Sequence, residues 1–123
     1  MLNQEPATLD RLFHALADGT RRTMVARLCR GPATVSELAA PLAMSLPSVL
    51  QHLQVLEASG LVRSRKAGRV RTCEVEPAML AQAERWIGER RALWEHRLDR
   101  LGGIIAELPE PSLKDAPDPG ENP

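Results

Sequence analysis

Apolar residues recur at helical spacing from the first turns of the chain. Leu9, Leu12, Phe13 and Leu16 fall at i, i+3, i+4 and i+7, which predicts a first amphipathic helix. Asp18-Gly19 interrupts it. Thr20 is placed to cap a second helix with Met24, Val25, Leu28 and Cys29 on its apolar side, stopped by Gly31-Pro32. Thr34-Val35-Ser36-Glu37 has the form of a capping box and opens a short third helix over residues 35–42, which Pro41 keeps from continuing. Ser45 then caps a fourth helix with Pro47 in its first turn. Its buried face is expected to be Leu46, Val49 or Leu50, Leu53 and Leu56, and Gly60 ends it.

Beyond Gly60 the helical spacing gives way to two strands, residues 61–65 and 70–75. Lys66-Ala67-Gly68-Arg69 joins them, a hairpin with glycine in its turn. From Pro77 a long helix reaches at least Leu101. Leu80, Ile87, Trp94, Leu101 and Leu108 are spaced by seven, flanked by Met79, Ala83, Trp86, Leu93, Leu98 and Ile105. That face is too wide and too apolar for a lone surface helix, so it is expected to meet both the domain body and a second subunit. Gly102-Gly103 is a point where the helix can end or bend. The proline-rich polar stretch after Leu108 is expected to be disordered.

Composition narrows the class. The 123 residues are 43% hydrophobic and 26% charged, ordinary for a globular domain. No apolar stretch approaches the ~20 residues of a membrane span. The first residues lack the basic and apolar regions of a secretion signal, and two cysteines form no disulfide framework, so a cytoplasmic protein is expected. The net charge of zero conceals an asymmetry. From Arg11 to Cys73 ten Lys/Arg face three acids, giving +7, whereas residues 107–123 carry five acids and one lysine, giving −4. A basic body with an acidic tail suits a polyanion partner.

The element order α-α-α-α-β-β-α predicts a mainly α fold with a small β-hairpin, a winged helix-turn-helix. Residues 9–106 would form one DNA-binding and dimerisation domain, between an extension (1–8) and the acidic tail (107–123). The third and fourth helices form the two-helix unit that places one helix in the major groove. The candidate DNA-contacting residues begin with Ser36 on the third helix. Ser45, Ser48, Gln51, His52 and Gln54 on the fourth can donate and accept at base edges. Arg63, Arg65, Lys66, Arg69 and Arg71 of the hairpin suit phosphate or minor-groove contact. There is no Tyr, and Phe13, Trp86 and Trp94 all sit on apolar helix faces, leaving no stacking platform for single strands; duplex DNA is the expected partner. The candidate dimer residues are Leu9, Leu12, Phe13, Leu80, Ile87, Trp94, Leu98 and Leu101. Cys29 and Cys73 are candidate redox thiols. Cys29 reads as a small buried hydrophobe and Cys73 as a thiol activated by Arg71.

No metal or cofactor is expected, and an enzyme is the weakest class. There is no phosphate-binding glycine loop, and His14, His52 and His96 fall on three different helices without a nucleophile. The stronger rival is a winged-helix architectural or protein-interaction module without a specific operator.

Three stretches together resemble the ArsR family of bacterial winged-helix repressors. They are Leu12-Phe13-His14-Ala15-Leu16-Ala17-Asp18-Gly19-Thr20-Arg21-Arg22, Val35-Ser36-Glu37-Leu38-Ala39, and the run from Ser45 to Val62 followed by Gly68-Arg69. The resemblance spans roughly residues 9–108. It implies a homodimer built on the first and last helices, two recognition helices in successive major grooves of a partly palindromic operator, and usually repression. Two departures stand out. Leu50 and Gln54 occupy positions where the family often has Ser and Lys, so Leu50 is either buried or faces a thymine methyl. The metal-sensing Cys-x-Cys of the third helix is replaced by Glu37-Leu38-Ala39-Ala40-Pro41-Leu42. On the last helix only Gln82-Ala83-Glu84 and the His96/Asp99 pair stand where other members carry ligands. The effector is therefore unassigned.

Overall fold

A computed structural model describes residues 6–110 and divides into two compact units, Met1–Gly88 and Glu89–Pro123. Helix α1 (Pro6–Leu16) starts three residues before the expected boundary at Leu9, with proline in its first turn where a missing N–H costs nothing. Helix α2 (Gly19–Leu28) is capped by Asp18 rather than Thr20. The Asp18 carboxylate accepts from the Arg21 N–H at 3.0 Å, so the helix opens two residues earlier than expected. A short strand β1 (Ala33–Thr34) leads directly into α3 (Val35–Ala39). Helix α4 (Leu46–Ala58), strands β2 (Val62–Ala67) and β3 (Val70–Val75), and α5 (Pro77–Glu107) complete the chain. The tail assigned to disorder lies, from residue 111 on, outside the described residues.

The sheet has three antiparallel strands in the order β1-β3-β2, one more than the sequence pattern indicated. Ala33 pairs with Cys73 and Thr34 with Thr72, so β1 covers the free edge at the base of the hairpin. Only Gly68-Arg69 separates the last paired residues, Ala67 and Val70, and Gly68 takes a φ of 64° that glycine adopts without strain. Gly60 (φ 84°) ends α4. The backbone angle there favours glycine, and a Cβ would lie 3.1 Å from Met79 Cε, so that side chain would have to shift by a few tenths of an ångström.

The core of the first unit is built where helical stripes meet the sheet. Leu9, Leu12 and Ala15 of α1, Met24, Val25 and Leu28 of α2, Leu38, and Val49, Leu53 and Leu56 of α4 close over Leu61, Val62 and Cys73. Met79, Leu80 and Trp86 of α5 pack on this cluster, and Trp86 meets Phe13 edge-on at 5.8 Å and 70°. Leu9 and Leu12, expected at a subunit contact, are only 9% and 0% exposed. They belong to this core because the stripe of α1 is consumed within the chain. Gly102-Gly103 does not end helix α5, which continues to Glu107.

Two caps carry a pH signature. The Glu37 carboxyl is held below its ordinary range chiefly by the Thr34 backbone N–H, and the Asp18 carboxyl by the Arg21 backbone N–H. A folded-state pKa below the unfolded one stabilises the protein fully above the unfolded value, and this is lost as pH falls through the folded value. Glu37→Gln preserves the capping geometry but cannot titrate. Denaturation midpoints measured between pH 3 and pH 7 should therefore fall less steeply in acid for Glu37→Gln than for the wild type. Superimposable profiles would remove Glu37 from the acid response.

Candidate nucleic-acid interface

The two-helix unit is assembled by its caps. Thr34 Oγ1 accepts from the Glu37 N–H at 3.1 Å, and Glu37 Oε1 accepts from the Thr34 N–H at 2.8 Å, closing the box at the start of α3. Helix α3 is over by Ala39, earlier than Leu42, and the chain reaches Ser45, whose hydroxyl accepts from the Ser48 N–H at 3.4 Å. The two hydroxyls also share a hydrogen bond of 2.9 Å. Pro47 sits in the first turn of α4, where it needs no acceptor.

Helix α4 turns Val49, Leu53 and Leu56 inward and exposes Gln51 and Gln54. Leu46, expected on the buried face, is instead 53% exposed, and of the alternatives Val49 and Leu50 it is Val49 that is buried while Leu50 is 38% exposed. The i, i+4, i+7 line through Val49 takes all the available core. Leu50 lies 100° round the helix from it, and Leu46 extends one turn beyond it. His52 also departs from expectation, because it turns back toward α2. Its Nδ1 lies 3.2 Å from Arg21 Nη1 and 3.8 Å from the Asp18 carboxylate. Arg21 is itself anchored, donating to the Ala15 and His14 carbonyls at 2.8 and 3.0 Å. His52 thus fixes the roll of α4 against the α1–α2 junction.

The five hairpin cations divide into two groups. Arg63 is paired with Glu74 at 3.4 Å and Glu76 at 3.2 Å, and Arg65 with Glu74 at 3.4 Å. Arg71 reaches Glu57 of α4, with Nη2 2.8 Å from Oε2, and its Nε donates to Ser64 Oγ at 2.9 Å. The Ser64 hydroxyl in turn donates to Glu57 at 3.2 Å, so hairpin and α4 are tied by one network. Lys66 and Arg69 at the tip are exposed and make no ion pair among the described residues. The partners Glu74 and Glu76 stand just past the basic stretch. Placing the turn at Gly68-Arg69 would have revealed the first, because that register sets Arg63 opposite Glu74. The Glu57–Arg71 pair joins separate elements and has no local sequence signal.

A cleft of about 690 Å³ gathers these elements, lined among others by Ser36, Leu46, Leu50, Lys66, Arg69 and Val70. A smaller hollow of about 380 Å³ lies beside it among Leu50, Gln54, Glu57 and Arg71. Neither surrounds an arrangement of groups suited to catalysis. Among the described residues no cluster of three or more His, Cys, Asp or Glu is placed to hold a metal ion, and no helix is long and apolar enough to cross a membrane.

Both thiols depart from expectation. Cys29 follows the last residue of α2 and is exposed, not buried. Cys73 is wholly buried in β3; burial pushes its thiol up, Glu57 adds to the effect, and Arg71 only partly opposes it. The nearby arginine is committed to Glu57, so it does not make Cys73 reactive.

The second unit presents the outer part of α5. Leu93, Trp94, Leu98, Leu101, Ile104 and Ile105 are between 46% and 63% exposed in the single chain, and Arg97 lies over the Trp94 ring at 6.0 Å. Ile87, at the end of the first unit, is 49% exposed, whereas Leu80 is half-buried.

Known proteins share this arrangement. A helix-turn-helix domain family matches residues 16–65. The chain is 51% identical over 72 residues to the HTH-type transcriptional regulator Rv2034 of Mycobacterium tuberculosis, covering 58% of this chain and 67% of that protein. It is 33% identical over 98 residues to the arsenical resistance operon repressor of Escherichia coli, covering 79% and 81%. Among solved structures, an ArsR family transcriptional regulator superposes with a TM-score of 0.71 at 52% identity, over 75% of this chain and 95% of that one. A homodimeric winged helix-turn-helix DNA-binding domain from Mycobacterium bovis gives 0.57 at 26% identity, over 73% and 85%. These similarities extend across both the helix-turn-helix and the elements around it, and the chain belongs to the ArsR family of winged helix-turn-helix, DNA-binding transcription regulators, a family of regulators and not of enzymes.

Proposed function

We propose that this regulator is a cytoplasmic homodimeric repressor that binds a partly palindromic duplex operator and is released by a signal still to be identified. The observation that carries the reading is one cleft where the exposed face of α4 meets Lys66 and Arg69, the hairpin cations without an internal ion pair. In this reading residues 9–106 act as one DNA-binding and dimerisation domain. Helix α4 enters the major groove, where the amides of Gln51 and Gln54 and the hydroxyls of Ser45 and Ser48 meet base edges. Ser36, Lys66 and Arg69 hold phosphates, and Arg63 and Arg65 add longer-range positive charge moderated by Glu74 and Glu76. Arg71 and His52 position the hairpin and α4 from behind. Two copies associate through the apolar stripe of α5, which a single chain leaves exposed. The homodimeric relative from Mycobacterium bovis supports that assembly, and the repressor from Escherichia coli supports the direction of regulation.

The roles separate under a salt titration. Arg69→Ala should weaken binding to every duplex and make the log affinity–log salt slope shallower by about one unit, because one phosphate contact is lost. Gln51→Ala should leave the slope unchanged and alter preference at one base position, at about 1–3 kcal/mol. Unchanged non-specific affinity in Arg69→Ala would remove the hairpin tip from the interface.

A further inference from the structure

We propose that Leu46 and Leu50 read the 5-methyl groups of thymines, so that each operator half-site carries thymine at the positions beneath the first two turns of α4. The inference rests on the operator-binding reading above and names the base chemistry that α4 selects. Leu46 and Leu50 are one helical turn apart on one side of α4, at its N-terminal end, the part of a recognition helix that reaches base edges. They are 53% and 38% exposed, and Val70, 51% exposed, lines the same cleft from the hairpin. One exposed leucine is unremarked on any surface, but three aliphatic side chains converging in one cleft form a patch that asks for an apolar partner.

The rim decides which partner. Lys66 and Arg69 flank the apolar wall, and the exposed side chains beside it on α4 are neutral amides, Gln51 and Gln54. Glu57, which lines the adjoining hollow with Leu50, is held by Arg71 and Ser64. A cationic rim around an aliphatic wall suits a polyanion that displays small apolar groups. In the major groove of duplex DNA that group is the thymine methyl. An aliphatic side chain also rejects the unpaired amino and carbonyl edges that other bases would leave dry against it.

Uracil pairs with adenine as thymine does and lacks only the methyl, so it isolates the contact. In a selectively bound duplex, thymines are replaced by deoxyuridine one position at a time, symmetrically in both half-sites. Wild-type affinity should fall at one or two positions, roughly fourfold for each methyl removed from a leucine contact, or about fifteenfold for a symmetric pair. Leu50→Ala should bind the thymine and uracil forms equally at its position, and Leu46→Ala at the other. Both side chains are exposed, so neither substitution removes a core contact. A duplex bound selectively but indifferent to uracil at every position would overturn this inference alone, as would uracil sensitivity that survives in both variants. Failure to bind any duplex selectively would overturn the operator reading together with it.

Discussion

Trp94→Glu is expected to turn a dimer into a monomer and to weaken operator binding by about 10²–10⁴-fold. Trp94 lies on the apolar stripe of α5 and is 57% exposed in the single chain, with Leu98 and Leu101 at 46% and 53% beside it. A tryptophan buries about 150–250 Å² when covered, and such residues dominate the interfaces that contain them. In a twofold dimer each copy would bring its own carboxylate to the same contact, so one substitution desolvates two like charges. Glutamate is a good helix former, and Trp94 is outside the core of the first unit, so the fold should survive. The DNA effect follows from geometry. A dimer places two recognition helices about 34 Å apart, and the second binds at the effective concentration set by the first. Sedimentation velocity at micromolar concentration measures the first effect and operator titration the second. A variant that still sediments as a dimer would move the interface to another surface.

Leu56→Ala is expected to destabilise the domain by about 2–5 kcal/mol, a large part of the ~5–15 kcal/mol that holds a typical domain folded. Leu56 is fully buried on the inner side of α4, between the recognition surface and the sheet. Truncation removes its own burial and leaves a cavity that the caps at Ser45 and Gly60 resist collapsing, since they fix both ends of the helix. Leu50→Ala, at an exposed position of the same helix, should change stability by no more than about 0.5 kcal/mol. Urea denaturation of the two variants compares inner and outer faces of one helix directly. Equal midpoints would mean that α4 is not held by this core.

The fold was largely legible because its helices are marked by strong local signals. The stripes of α1 and α4, the Thr34–Glu37 box, the Ser45 cap and the glycine of the hairpin each act within a few residues. What local patterns could not convey depends on tertiary pairing. Strand β1 is two residues long, carries no periodicity and exists only because β3 has an edge to cover. Spacing places Leu46 in line with Val49, but the extent of the core, not the spacing, decides that it stays exposed. The same limit applied to the candidate site. Its elements were identified, yet the division of hairpin cations into paired Arg63, Arg65 and Arg71 and unpaired Lys66 and Arg69 needed the register and the packing of α4. Cys73 shows how proximity in sequence misleads: Arg71 is close, but its charge is spent on Glu57 while burial governs the thiol.

The central claim is selective binding of duplex DNA, and competition between a selected operator duplex and its scrambled counterpart tests it most directly. At physiological salt the wild-type protein should favour the operator by at least ~10³-fold, with affinity for both falling steeply as salt rises. Equal affinity for the two duplexes at every salt concentration would contradict it and leave an architectural DNA-binding module in its place.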